Sequence, residues 1–248
     1  MNVILELLNA DSHQGGLKTS LVEIPNNFLE IKKDCLNIFN NYNPSDVTNK
    51  DHRTYWTKPF GIAKQWSLWN DSGMFDENQS ISAKPNNIKN KKFHYDSEFP
   101  NLAKFLNSWP SKLNARLNLL SPSSGLNQHE EQIQQKWGDK NTIRVRFHLP
   151  IVTDPECLVF LDGEWFQFEE GKIYFFNNGC VHSAKNNSNI DRLHLVWDCL
   201  LTTNILRKLQ NGKSILSTIT EPVEENYATY SGKFNFLEND IDIIEDII

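Results

Sequence analysis

Apolar and polar residues alternate along residues 142–149. Ile143, Val145, Phe147 and Leu149 share one face of an extended chain, and Arg144, Arg146 and His148 share the other. Residues 192–197 repeat the parity, with Arg192, His194 and Val196 opposite Leu193, Leu195 and Trp197. Short apolar runs at 157–161, 164–168, 172–176 and 191–200 are separated by Asp-Pro, Asp-Gly, Glu-Gly and Asn-Asn-Gly turns. The pattern predicts a mainly β core, and a sandwich or barrel of jelly-roll type is among the few architectures that fit.

The rest of the chain frames these strands. Residues 1–25 read as one or two short strands ending at LVEIP. Phe28, Leu29, Ile31, Cys35, Leu36, Ile38 and Phe39 recur at helical spacing and predict an amphipathic helix over 26–41. Residues 54–75 concentrate Tyr55, Trp56, Phe60, Trp66, Trp69 and Phe75, which suit strands of an outer sheet, with a substrate-pocket wall as the functional alternative. The polar stretch 76–92 reads as a mobile surface loop, and 99–109 as a short helix opened by Pro100 and closed by Pro110. Strands begin at Leu113, with a polar loop over 132–141. After Leu200, TTNILRKLQNGK is helical, and the acidic tail places Leu237, Ile241, Ile244 and Ile248 on one face of a further helix. The expected organisation is a single domain over 1–248: flanking strands and helices (1–112), a catalytic core (113–200) and a helical, acidic extension (201–248).

Composition narrows the class. The chain has 248 residues, 39% hydrophobic and 23% charged, and a formal charge of −6. That balance gives no basic footprint for nucleic acid or an anionic membrane. The first residues lack a signal-peptide pattern, and no window is long and apolar enough to span a bilayer. Four cysteines without C-x-x-C spacing suit a reduced, cytoplasmic protein. Seven Trp and fifteen Phe suit aromatic-rich strands around an apolar pocket.

Candidate chemistry gathers in the core. His129 and Glu131 are spaced i, i+2, so on a strand both reach one metal. His182, just after the Asn177-Asn178-Gly179 turn, supplies a third ligand. Two imidazoles and one carboxylate make the facial set that leaves positions open on Fe(II) for oxygen and a bidentate 2-oxo acid. Arg146-x-His148 and Arg192-x-His194 would place two guanidiniums and two imidazoles around one cavity. Unpaired buried cations are costly, so an anion belongs there, and a small dicarboxylate is the economical one. Each motif alone is commonplace on a half-exposed strand; their coincidence around one cavity carries the argument.

GLNQHEE, RVRFHL and VHSAKNNSNIDRLHLVWD resemble the aspartyl/asparaginyl β-hydroxylase family, especially its bacterial branch with the cis-type proline hydroxylases. The resemblance spans roughly Ala115 to Cys199. It implies a double-stranded β-helix of cupin type and Fe(II)- and 2-oxoglutarate-dependent hydroxylation using O2. It implies His129 and His182 as iron ligands, with Glu131 where the proline hydroxylases carry an iron-binding Asp; Glu130 is the poorer candidate by strand parity. Arg192, ten residues after His182, corresponds to the arginine that pairs with the distal carboxylate of 2-oxoglutarate. Arg146 and His148 correspond to the R-x-H at the oxo-acid end, and Asn118 to a polar position facing the co-substrate.

The implied activity is hydroxylation of a free amino acid, proline-like in the first instance, with Asp, Asn or Pro side chains of a peptide as the alternative. A non-catalytic cupin binding a small acid is the reading from another class; it would keep Arg146 and Arg192 without iron-dependent oxygen consumption. A nucleophilic Cys180/His182 pair is disfavoured because no orienting acid is evident. Oligomeric state is not legible.

Overall fold

In the computed structural model the described residues are 2–46, 59–77, 85–215, 217 and 234–247. Helix α1 (Val3–Asp11) is followed by β1 (Thr19–Glu23), α2 (Phe28–Asn41), β2 (Ser45–Asp46), β3 (Pro59–Phe60) and β4 (Ala63–Ser67). Helix α3 (Pro100–Asn107) leads into β5 (Lys112–Leu120), β6 (Ser124–His129), β7 (Gln134–Trp137), β8 (Lys140–Val152), β9 (Cys157–Leu161) and β10 (Glu164–Gln167). There follow β11 (Ile173–Phe176), β12 (His182–Asn186), β13 (Arg192–Leu200), α4 (Thr203–Gln210) and β14 (Lys213–Ser214).

Among the described residues the strands form two antiparallel sheets. The larger runs β14-β1-β11-β8-β13-β5-β4-β2, with β7 paired to β8; the smaller runs β10-β9-β12-β6-β3. They face each other: Phe176 of the larger sheet meets His182 of the smaller with ring centroids 5.1 Å apart. This is the expected mainly β, jelly-roll-like core with flanking helices. The Asp162-Gly163 turn joins β9 to β10 with φ of 43° and 90°, the left-handed pair that a two-residue hairpin demands.

The alternation in β8 and β13 sorts the two faces. Ile143, Val145, Phe147, Leu149, Leu193, Leu195 and Trp197 belong to one buried cluster with residues of α1, α2, α3 and α4 on the helix-covered side. Its centre is aromatic: Trp109 lies 4.7 Å from Phe147 and 4.8 Å from Trp197. Asp34 of α2 accepts from the backbone N–H groups of Asn101 and Leu102 at 3.0 and 2.9 Å, capping the first turn of α3. The opposite faces of β8 and β13, polar in sequence, point between the sheets.

Four expectations need correction. Residues 3–11 are a helix: the Asn2 side chain accepts from the Leu5 N–H, and Val3, Leu7 and Leu8 bury one face in the core. The 132–141 loop contains β7, which folds back on the start of β8. Residues 182–186, part of a polar connection in the sequence reading, form β12, whose HSAKN shows no alternation and is defined by its partners β6 and β9. The tail is not an α-helix. After a 3-10 turn at Glu238–Asp240 it runs extended, Ile244 N–H donating to Leu201 O at 2.9 Å and Ser111 N–H to Ile247 O at 2.7 Å. Isoleucines at 241, 243 and 244 favour that extended course.

Trp66, Trp69 and Phe75 join the helix-side cluster, Trp66 packing on Phe39 at 5.4 Å, so they form outer-sheet packing and not a pocket wall. Tyr55, Trp56, residues 78–84 of the 76–92 stretch, and Ile248 lie outside the described residues. Residues 85–90 form a 3-10 turn that buries Ile88. No described helix is long and apolar enough to cross a membrane.

Candidate metal centre

His129, the last residue of β6, and His182, the first of β12, are directly paired across the ladder, and their rings lie 4.1 Å apart. His129 Nδ1 is 2.7 Å from Asn127 O and His182 Nδ1 is 2.9 Å from Cys180 O. A carbonyl only accepts, so both Nδ1 atoms carry the proton and both Nε2 lone pairs are free for a cation. Burial, aided by neighbouring His182, lowers the His129 pKa to about 3 and keeps the ring neutral. Glu131, two residues past the strand end, completes the set: one ligand atom each from His129, Glu131 and His182 all fall within 4.8 Å of one another. Glu131 Oε1 is 3.7 Å from His182 Nε2. Two imidazoles that turn their Nδ1 atoms to carbonyls and their Nε2 atoms to a shared space, with one carboxylate, fit a divalent iron-type cation. Glu130 turns away, 3.1 Å from His13 Nε2.

The Glu131 carboxylate is gripped by arginines. Arg146 donates from Nη1 to Oε1 at 2.6 Å and from Nη2 to Oε2 at 3.0 Å; Arg144 Nη2 donates to Oε2 at 2.8 Å. Burial alone would raise this carboxyl's pKa, but Arg146 and Arg144 outweigh it and hold it well below the usual range. On its other edge Arg146 donates to Asp198, from Nε at 2.7 Å and Nη2 at 3.1 Å. Asp198 also accepts from Asn114 Nδ2 at 2.9 Å. The structure therefore ties Arg146 to two protein carboxylates, where the sequence pattern pointed to the co-substrate.

The remaining expected contacts gather on one cavity, open to solvent, whose walls include Asn118, His129, Glu131, Arg146, His148, His182 and Arg192. Arg192 is 4% exposed, and among the described residues no carboxylate pairs with it. Its Nη2 donates to His194 Nδ1 at 3.0 Å while its Nε has no partner. Asn118 Oδ1 and His148 Nε2 are likewise buried and unpartnered. Each such group costs about 1–3 kcal/mol if left empty. Burial pulls the Arg192 pKa down to about 10. A buried guanidinium that reaches an open cavity is a partner for a carboxylate-bearing molecule, and 2-oxoglutarate fits that requirement.

Three residues of this site escaped the sequence reading. Asp198 shares the inward parity of Arg192, His194 and Val196 and is the one acid in that strand. Arg116, Nη1 2.6 Å from Asn114 Oδ1, shares the parity of Asn118 and lines the cavity. Arg144 was placed on the inward face but given no role.

The model of the aspartyl/asparaginyl beta-hydroxylase family matches residues 25–201. No curated protein matches the chain. Among solved structures it is similar to a prolyl-4-hydroxylase of Pseudomonas putida, at 13% identity over 78% of this chain and 98% of that one, TM-score 0.40. It is similar to HygX from Streptomyces hygroscopicus, solved with nickel and 2-oxoglutarate, at 10% identity over 68% and 77%, TM-score 0.39. A third is the viral collagen prolyl hydroxylase of Paramecium Bursaria Chlorella virus-1, at 11% identity over 68% and 90%, TM-score 0.35. The family match spans well over half of the chain and includes every residue of the candidate metal centre and Arg192: this protein belongs to the aspartyl/asparaginyl β-hydroxylase family and is a 2-oxoglutarate-dependent hydroxylase.

Proposed function

We propose that the chain hydroxylates a C–H bond of a free amino acid or amino-acid derivative, proline-like in the first instance, with His129, Glu131 and His182 holding Fe(II). The observation that carries the reading is Arg192: a buried guanidinium without an anionic partner among the described residues, on the same cavity as two imidazoles whose free nitrogens converge. Iron with 2-oxoglutarate and O2 supplies an oxidative decarboxylation to succinate and CO2 that delivers one oxygen atom to an unactivated C–H bond.

The protein's own part is binding and orientation. Arg192 pairs with the distal carboxylate of 2-oxoglutarate, and His194 Nδ1 fixes the guanidinium plane by accepting from Nη2. His148 offers its unpartnered Nε2 to the same molecule in the tautomer that carries the proton there, whereas Asn118 Oδ1, an acceptor, is left for a donor group of the amino-acid substrate. Leu126, Val159, Phe176 and Val196 wall the cavity and limit water near the reacting centre. A cytoplasmic location belongs to the same proposal and rests on four buried cysteines without C-x-x-C spacing.

The test is anaerobic titration of Fe(II) and then 2-oxoglutarate, followed by the visible metal-to-ligand charge-transfer band. A band lost in His182→Ala and weakened in Arg192→Met supports the reading, and succinate release across a panel of amino acids then identifies the substrate. Neither band nor bound metal would make the barrel a small-acid binding module and end the hydroxylase proposal.

A further inference from the structure

The two oxygens of Glu131 are not equivalent. Oε2 accepts from Arg144 Nη2 at 2.8 Å and Arg146 Nη2 at 3.0 Å, which uses both of its lone-pair directions. Oε1 accepts from Arg146 Nη1 alone and lies on the side of the imidazoles, 3.7 Å from His182 Nε2. The backbone beneath is pinned, Glu131 N–H donating to Asn178 O at 2.9 Å. Arg144 is pinned too: its N–H donates to Ile133 O at 2.7 Å, and its Nη1 lies 3.8 Å from Asp198. Arg146 lines the cavity, whereas Arg144 is absent from its walls.

We propose that Arg144 is a positioning residue that makes Glu131 a one-oxygen metal ligand. With Oε2 occupied, only Oε1 is offered to the cation, and the coordination place that a second glutamate oxygen would take stays open for 2-oxoglutarate. A glutamate needs such a restraint because its extra methylene adds a torsion and lets both oxygens swing onto a cation; the planar arginine fork removes that freedom. An aspartate at 131 is shorter by about 1.5 Å and does not span to Arg144. The inference rests on Glu131 being a ligand, as proposed above.

The experiment uses Co(II) and 2-oxoglutarate, read by calorimetry and visible absorption without turnover. Arg144→Met is expected to bind Co(II) within about threefold of the native protein. It should bind 2-oxoglutarate at least tenfold more weakly once Co(II) is loaded, and equally well without metal. Arg144→Lys, which keeps the charge near Asp198, is expected to recover part of the loss and serves where the Met variant folds poorly. In a Glu131→Asp background Arg144→Met should change 2-oxoglutarate affinity less than twofold, the non-additivity expected of residues acting through one another. An unchanged 2-oxoglutarate affinity in Arg144→Met overturns the proposal, as does an equal loss in both backgrounds, which would make Arg144 a direct ligand contact. The parent reading fails separately: Glu131→Ala binding Co(II) as tightly as the native protein removes Glu131 from the ligand set.

Discussion

Arg146 and Asp198 occupy directly paired positions of β8 and β13, and the guanidinium lays one edge on the Asp198 carboxylate and the other on Glu131. Arg146 thereby couples the floor of the larger sheet to a candidate metal ligand. The pair is deeply buried, Asp198 at 0% and Arg146 at 6% exposure. Burial would raise the Asp198 carboxyl, but Arg146, Arg144 and Arg116 hold it well below the ordinary range.

Removing that carboxylate charge leaves Arg116, Arg144 and Arg146 with Glu131 as the one remaining anion of the cluster among the described residues. Asp198→Asn keeps the size and an acceptor but not the charge, and is expected to cost about 3–5 kcal/mol of stability. Urea unfolding of the metal-free protein checks it. A loss below about 1 kcal/mol would show that Glu131 alone neutralises the arginines.

Arg192 is predicted to behave in the opposite sense. It carries a buried charge with no carboxylate partner among the described residues, so Arg192→Met should leave the ligand-free protein as stable or up to about 3 kcal/mol more stable. The same variant should bind 2-oxoglutarate at least about thirtyfold more weakly, roughly 2 kcal/mol of a desolvated charge pair. Thermal shifts with and without 2-oxoglutarate measure both. A variant that is destabilised and still shifted by 2-oxoglutarate would place the carboxylate elsewhere.

The core strands were legible because their period is two and each has one apolar face, so Ile143 to Leu149 and Leu193 to Trp197 announce both the sheet and its inward polar side. His129, Glu131 and His182 could be named but not joined by local pattern, since the ladder pairs positions 129 and 182, which are 53 apart in the chain. Strand β12 has no hydrophobic rhythm and exists through its neighbours' hydrogen bonds. Helix α1 opens on the β-branched Val3 and Ile4, which suit a strand, and the Asn2 cap that starts it was not read from the sequence. Asp198 is the one acid of its strand, and its pairing with Arg146 is a fact of cross-strand register that no local pattern carries.

The extended tail separates two readings of its isoleucines. Ile244 is 4% exposed in a cluster with Leu113 and Leu200, so Ile244→Ala is expected to cost about 2–4 kcal/mol. Leu237 is 72% exposed, and Leu237→Ala should stay within about 0.5 kcal/mol. A docked amphipathic helix would have made both substitutions costly, and urea midpoints of the two variants decide between them.

Acid sensitivity should begin well above the carboxylate range. Burial, with Arg192 next in weight, holds His148 and His194 well below the ordinary imidazole value, and burial with His182 lowers His129 to about 3. In the unfolded chain each takes up a proton as pH falls through about 6.5. The unfolded state then binds more protons than the folded one, so unfolding free energy drops as pH drops, by up to about 1.4 kcal/mol per pH unit for each group. Glu131 and Asp198 act in the same direction in a lower window. Their depressed values stabilise the fold above about pH 4, and that contribution is lost as pH falls toward the folded values. Urea unfolding of the metal-free protein from pH 7.5 to 4.5 should therefore show a decline starting near 6.5, and His194→Gln should remove about one-third of its slope. A profile flat down to pH 5 would mean that the folded protein accepts those protons, and the neutral imidazoles inferred here would have to be abandoned.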